Sequence, residues 1–307
     1  MLFDFKVFYA AGQAILAGHS PYADPNFLYP LPMAYFFALW ALLPFDAAIA
    51  LWWLALALTL AAVCRRTAML WFLFPPVFAQ FITGQLDLLV LGLWTLAGRG
   101  APVALGLMTL KPHLTLVLVL YMLWQWRRES RKLWLFALTV LILWLPLTLI
   151  YPWWLLEWSG NRKPLSEMLA ITPSAFALTH LGGWATGIAV LLGIAILVWS
   201  WRRGREFANL AGVAVNPVIQ FYDLALIASP RLLWRTVLAG WIAWLVYLVT
   251  SMAAVHFIIL PVAFWELKRS SENSLPARLT SGVTTDENGV RRLPSLDEVG
   301  DFGLQGR

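Results

Sequence analysis

From residue 31 to residue 267 the chain is a succession of apolar runs, at 31–45, 47–64, 67–83, 86–98, 101–126, 133–151, 183–201, 207–228, 232–249 and 250–267, separated by short polar or proline-bearing breaks. A helix needs about 20 apolar residues to cross the hydrocarbon layer, and lipid leaves no water to satisfy an open backbone, so such runs must bond internally. The expected fold class is all-α: a polytopic transmembrane helical bundle of about nine or ten membrane segments. The runs at 31–45 and 86–98 are short, and are expected to cross partly or to lie beside the membrane. Composition agrees, with 61% hydrophobic residues, 12% charged and a mean hydropathy of +0.72, against about 45–50% apolar residues in soluble domains. The 19 tryptophans suit the headgroup layer, where an indole keeps one edge wet. The net charge of +6 gathers in clusters at run ends, which points to orientation and anionic lipid headgroups as partners and argues against nucleic acid. A single cysteine, Cys64, excludes an intrachain disulfide.

Lysine and arginine in the loops set the orientation. Arg127-Arg-Glu-Ser-Arg-Lys132, Arg202-Arg-Gly-Arg205 and Lys268-Arg269 read as cytoplasmic anchors, which puts the loop 152–182, with Trp153, Trp154, Glu157, Trp158, Arg162, Lys163 and His180, on the outer face. The same rule folds 207–228 as a hairpin around Asn216-Pro217, keeping Arg231, Arg235, Lys268 and Arg269 inside and placing Asn216 and Asp223 near the outer surface. Arg65-Arg66 would face outward if every early run crossed, so one of the first two runs is expected to be juxtamembrane. The division expected is a membrane domain over 1–268, its residues 1–30 an extracytoplasmic interfacial helix and loop, followed by a disordered cytoplasmic tail over 269–307 rich in Ser, Thr, Gly and Pro. Asp4 and Lys6 stand where a cleavable signal would carry its apolar core, so insertion is expected to begin with a later span. A multi-pass protein of the plasma (inner) membrane follows.

Residues 1–18 carry helical periodicity, with Lys6, Tyr9 and Gln13 on one face and Phe8, Ala11 and Ile15 on another. Such a helix lies in the interface. Gly18-His-Ser-Pro21 stops it, and Tyr29-Pro-Leu-Pro32 holds the next backbone extended. Asp4 serves either as a first-turn acid favouring the helix dipole or as a general base, since a carboxylate in a water-poor setting is held more basic.

Further polar residues interrupt the apolar runs. Gly84-Gln85-Leu-Asp87 reads equally as a plain turn or as a place where Gln85 and Asp87 hydrogen-bond sugar hydroxyls. Lys111-Pro112-His113 sits inside the run 101–126. An ionisable residue there is expensive unless it meets a polar partner, and the proline breaks the helix ladder. Lys111 is read as a point charge for an anion such as a lipid-linked phosphate, with His113 as a donor; snorkelling from a helix end is the plain alternative. Asp223 is read as either a substrate contact or a structural partner of Arg231, and His256 as a buried hydrogen-bonding residue. There is no Walker loop, dinucleotide fingerprint, zinc helix or paired cysteine, and no Asp-x-Asp pair near a loop of the kind that holds a divalent metal. No metal or cofactor is expected.

The order of Asp4, Tyr9, Ala11, Leu16, Gly18, Pro21-Tyr22, Tyr29-Pro30, Pro44, Gly84-Gln85, Gly106-Leu-x-x-Leu-Lys-Pro112 and Pro217 with Tyr222-Asp223 resembles glycosyltransferase family 87, membrane enzymes of the GT-C group that include polyprenyl-phosphate-mannose-dependent α-mannosyltransferases. The resemblance runs from about residue 4 to residue 230. It implies transfer of a sugar, expected to be mannose, from a polyprenyl-phosphate donor to a lipid or glycan acceptor at the extracytoplasmic face, with inversion and no metal. The first-loop acid, the base in such enzymes, maps onto Asp4. Tyr9, Tyr22, Tyr29, Gln85, Asp87, Lys111, His113, Asn216, Tyr222 and Asp223 are the substrate-binding candidates. The family pattern has a transmembrane helix ahead of the acid where this chain has Met1-Leu-Phe3, and has more C-terminal spans; a start further upstream or a shortened, inactive homologue is the corresponding expectation. A transporter or flippase for a lipid-linked sugar, with Lys111 and Asp223 binding cargo, is the other reading of the same residues.

Overall fold

The structure, a computed structural model, describes residues 2–161, 172–217, 219–230, 233–251, 253–281, 284–285 and 291–292. Helix α1 (Phe3–Leu16) is followed by a single 3-10 turn at Pro21–Ala23 and by α2 (Leu31–Ala41) and α3 (Phe45–Cys64). Next come α4 (Ala68–Phe72), α5 (Pro75–Thr83), α6 (Asp87–Gly98), α7 (Pro102–Met108), α8 (Pro112–Gln125), α9 (Ser130–Ile150) and α10 (Trp154–Gly160). The chain continues through α11 (Gly183–Trp201), α12 (Arg205–Ala214), a 3-10 segment at Phe221–Ile227, α13 (Trp234–Thr250) and α14 (Ile259–Ser281). Beyond Ser281, Thr284–Thr285 pairs antiparallel with Arg291–Arg292, and the remainder of the tail lies outside the described residues, as do Arg162, Lys163 and Arg231.

The protein is an all-α membrane helical protein. Among the described residues, three stretches are long and apolar enough to cross a bilayer: Phe45–Phe72, α9 and α11. Helices α5 and α6 together make a fourth apolar stretch, bent by 116° at their junction, and α2, α8 and α13 are shorter apolar helices. The nine or ten sequence runs thus resolve into few full-length helices and many broken ones. Proline explains most of the breaks. Pro75 and Pro76 restart the chain at α5, Pro102 at α7 and Pro112 at α8, each in the first turn, where a missing N–H costs nothing. Run 101–126 is accordingly two helices meeting at Lys111, and run 207–228 breaks after α12 around Asn216-Pro217.

The first helix is clamped rather than loosely laid down. Phe5, Phe8 and Gly12 recur at helical spacing and are buried against Phe37 of α2. A Cβ at Gly12 would collide with the backbone carbonyl of Phe37, so glycine sets the close approach of the two helices. Tyr9 departs from the polar face expected to hold Lys6 and Gln13. Its ring packs edge-on at 5.2 Å from Phe45, and its hydroxyl donates to the Leu43 carbonyl at 2.7 Å, so a residue with one polar tip is drawn in by an available acceptor. The helix ends at Leu16 with Gly18 in a left-handed conformation (φ +74°). Pro30 is extended, but Pro32 already lies in the first turn of α2.

Candidate functional site

Three interruptions of apolar helix meet at one point. The first is the α5–α6 corner. Gly84 closes α5 with φ +77°, a conformation that favours glycine, and the indole of Trp52 donates to its carbonyl at 3.0 Å. This sharp turn sets Gln80, Gln85 and Asp87 together. Gln80 receives the Asp87 N–H on Oε1 (3.1 Å) and donates through Nε2 to Asp87 Oδ2 (2.7 Å) and to the Tyr222 carbonyl (2.8 Å). The second interruption is the α7–α8 break, where Lys111 precedes Pro112. The third is the stretch between α12 and the 3-10 segment, where Asp223 accepts the Gln220 N–H at 2.6 Å in a reciprocal cap.

The ammonium of Lys111 forms ion pairs with Oδ1 of Asp87 and, at 3.0 Å, with Oδ1 of Asp223. All three side chains are buried. Here lies the physical solution to a lysine in an apolar run: an unpaired buried charge is prohibitive, whereas one held by opposite charges with the remaining oxygens hydrogen-bonded is tolerated. From sequence Lys111 is a point charge for an anion or a snorkelling lysine, and Asp223 is a substrate contact or a partner of Arg231, which lies outside the described residues. In the structure Lys111 already has two carboxylates, and Asp223 has Lys111. Asp87, 0% exposed, has both oxygens occupied and presents none to a sugar.

Around this triad runs a layer of neutral donors. The Lys111 ammonium lies 5.9 Å from the ring centres of both Tyr29 and Tyr222. The amide of Gln85 donates to the hydroxyls of Tyr29 (3.2 Å) and Tyr222 (3.1 Å). Tyr22 donates to the Tyr29 carbonyl at 3.2 Å, fixing that loop from behind. His113 is exposed, its ring centre 6.0 Å from that of Tyr29, and its carbonyl accepts from the buried Asn216 amide at 2.6 Å. Burial pushes the Tyr29 hydroxyl up from its ordinary range, despite the Lys111 charge, so it stays a protonated donor.

Asp4 stands at the edge of the same group. The N–H of Leu2 donates to the Ile82 carbonyl at 2.7 Å, tying the start of α1 to the end of α5. A Cβ at Gly84 would overlap that of Phe5, so the glycine also admits α1. Asp4 is half-buried. Burial raises its carboxyl to about 6, against the lowering effects of the Lys111 charge and of hydrogen bonds from Thr83 and Gln85, with Asp223 adding to the rise. Of the three carboxylates around Lys111 it is the one not in contact with the ammonium.

The structure therefore brings together Asp4, Tyr29, Gln85, Asp87, Lys111, His113, Tyr222 and Asp223, with Asn216 and Tyr22 as supports. Tyr9 points into the α1–α3 packing and is not part of the group. Gln80 and Gln220 were not singled out from sequence; an uncharged amide in a run of apolar residues gives only a faint signal. Glu157 is a further one. Its carboxylate accepts from Ser20 at 2.5 Å and from the Tyr151 hydroxyl, while Trp158 donates to the Leu28 carbonyl (2.9 Å) and Asn161 to that of Tyr22 (3.0 Å). Helix α10 thus straps the loop that carries Tyr22 and Tyr29. Among the described residues no cluster of His, Cys, Asp and Glu is arranged to hold a metal ion.

Residues 27–230 match the model of Glycosyltransferase family 87. The match covers about two thirds of the 307 residues and includes the triad, Gln80, Gln85, Tyr29, His113 and Tyr222. It begins after Asp4. No curated protein and no solved structure matches the chain.

Proposed function

Since the chain belongs to glycosyltransferase family 87, we propose that this membrane glycosyltransferase takes its sugar, mannose, from a polyprenyl-phosphate donor, and that Asp4 is the base of the transfer. The observation that carries the reading is the division among the carboxylates. Asp87 and Asp223 are committed to Lys111, while Asp4 is half-exposed, unpaired with the lysine, and close enough to the triad to feel its charge. A base must be reachable by the acceptor and have a proton affinity near the working pH. Asp4 meets both conditions.

In the proposed reaction the acceptor hydroxyl oxygen attacks the anomeric carbon and its proton passes to Asp4. The bond from that carbon to the phosphate oxygen breaks with its electron pair, releasing polyprenyl phosphate, and a single displacement inverts the anomeric centre. The hydroxyls of Tyr29 and Tyr222, the Gln85 amide and His113 are the donors proposed to meet the phosphate and the sugar. Lys111, Asp87 and Asp223 then act as positioning residues: the triad pins the three chain breaks on which Gln85, His113 and Tyr222 ride. The acceptor is a lipid or glycan at the extracytoplasmic face, where the strap between α10 and the first loop limits access.

The test is transfer of radiolabelled mannose from polyprenyl-phosphate-mannose in membranes containing Asp4→Asn. Transfer is expected to fall by about 10²–10⁴-fold, with expression unchanged and thermal stability at neutral pH no lower than the parent's. Transfer at the parent rate would remove Asp4 from the base role.

A further inference from the structure

The end of α6 away from Asp87 is charged in the opposite sense. Arg65, Arg99 and Arg205, with Glu206, line a cavity of about 250 Å³. Among the described lining residues, three guanidiniums stand against one carboxylate, a net charge of +2. The carbonyl end of α6 also faces this place, since Arg99 directly follows the helix and the Arg205 guanidinium lies over Gly98, where any side chain would collide with it. A helix terminus offsets only about half a unit charge. Among the described residues, the guanidiniums of Arg65 and Arg99 have no hydrogen bond or ion pair within the protein. A surplus of positive charge around a cavity is suited to an anion that supplies several acceptor oxygens, and arginine meets phosphate in a paired, planar fashion.

This cup opens onto an apolar trough. A groove of about 510 Å³ follows α6 between α2, α3 and α7, walled by Phe36, Leu58, Leu89 and Leu93, and it shares Val63, Thr95 and Arg99 with the arginine cavity. A phosphate site continuous with a hydrocarbon site fits a single amphiphile. The groove runs back along α6 as far as Leu86 and Lys111, but the arginine cup lies apart from the transfer chemistry. Asp87 begins α6 and Arg99 follows its end, 12 residues on, or about 18 Å at the helical rise. A phosphate in the cup is therefore not the phosphate released beside Asp4.

We propose that the cup formed by Arg65, Arg99 and Arg205 and the groove along α6 are one binding site for an anionic phospholipid, with its phosphate in the cup and an acyl chain in the groove. The proposal stands independently of the sugar-transfer reading. Basic pockets between membrane helices bind anionic headgroups.

The experiment uses the full-length protein purified in neutral detergent, followed by tryptophan fluorescence on heating. It is titrated with phosphatidylglycerol, with phosphatidylcholine of the same acyl chains, and with inorganic phosphate. Phosphatidylglycerol is expected to raise the midpoint at concentrations about tenfold or more below those phosphatidylcholine needs. Arg99→Gln with Arg205→Gln is expected to erase that difference. Leu93→Trp, which keeps every arginine and fills the groove, is expected to weaken both lipids. Should the double variant fail to fold, the parent titrations and Leu93→Trp decide alone. Equal response to the two lipids overturns the proposal, as does an unchanged preference in the double variant. A midpoint raised equally by inorganic phosphate, with Leu93→Trp without effect, assigns the cup to a free anion and overturns the lipid.

Discussion

The two ends of α6 solve the same problem in opposite ways. At Asp87 every charge is buried and answered from inside the chain: Lys111 by two carboxylates, and the outer carboxylate oxygens by Gln80 and by the Gln220 N–H. At Arg99 the guanidiniums crowd a cavity with one carboxylate among them. A closed set of charges in a low-dielectric setting fixes geometry, because each member loses heavily if it moves. An open set leaves a charge for something else to neutralise. The first arrangement suits the placing of reacting groups; the second suits the capture of a ligand.

The sharpest way to break this contrast is Lys111→Met. It leaves two buried carboxylates facing each other without a cation, and removal of one partner from a buried ion pair costs about 3–5 kcal/mol. The midpoint of thermal unfolding in detergent should fall accordingly. Adding Asp87→Asn and Asp223→Asn to Lys111→Met should recover most of the loss, since neutral amides no longer need the ammonium. Equal stability of Lys111→Met and parent would mean that the triad does not hold the three breaks together.

Asp4 tests the contrast at its edge. Its carboxyl, raised by burial to about 6 from 3.8, must be ionised to act as a base. The transfer rate should therefore drop about tenfold per pH unit below 6 and level off above it. Stability moves the other way. The folded state binds this proton more tightly than the unfolded chain does, so the Asp4 contribution to stability declines as pH rises from about 4 to about 6. Asp4→Asn should remove this pH dependence of stability along with the activity. A rate profile flat between pH 5 and 8 would exclude Asp4 as the group that takes the proton.

Gly84→Ala probes how α1 reaches the triad. The residue sits at φ +77° and a Cβ there overlaps Phe5, so the change should cost about 1–3 kcal/mol and shift Asp4 relative to Gln85. A transfer rate reduced by more than the loss of folded protein explains is the expected signature. Unchanged rate and stability would show that the α5 corner has slack the packing does not suggest.

How much of this was legible in the residues divides along the same line. Apolar length and composition carry the membrane class without ambiguity, and prolines at 75, 102 and 112 mark where runs break. The polar residues Gln85, Asp87, Lys111, Tyr222 and Asp223 stand out because lipid-depth polarity is costly anywhere. Their pairing does not. Asp87 and Asp223 are 136 positions apart in sequence, and only the convergence of three breaks decides that both meet Lys111. Periodicity sets Tyr9 on the polar face because its hydroxyl counts as polar on a helical wheel, whereas a single acceptor, the Leu43 carbonyl, is enough to bury it. Of the arginine cup, Arg65 and Arg205 are legible only as separate orientation signals and Arg99 not at all, since the three belong to three different helix ends.

The smallest expected effect lies at that cup. Arg99 is exposed and its guanidinium has no partner within the protein among the described residues, so Arg99→Gln removes charge without leaving a buried group unsatisfied. In neutral detergent without anionic lipid its midpoint should match that of the parent to within about 0.5 kcal/mol. Any shift is expected in the favourable direction, because Arg65 and Arg205 then repel one cation fewer. Placed beside Lys111→Met, the lysine paired to Asp87 at the start of α6 and the arginine at its end should differ in cost by several kcal/mol. A large loss from Arg99→Gln in the absence of lipid would mean that the arginine end is as closed as the Asp87 end, with Glu206 or the α6 carbonyls satisfying it, and the contrast between the two ends would disappear.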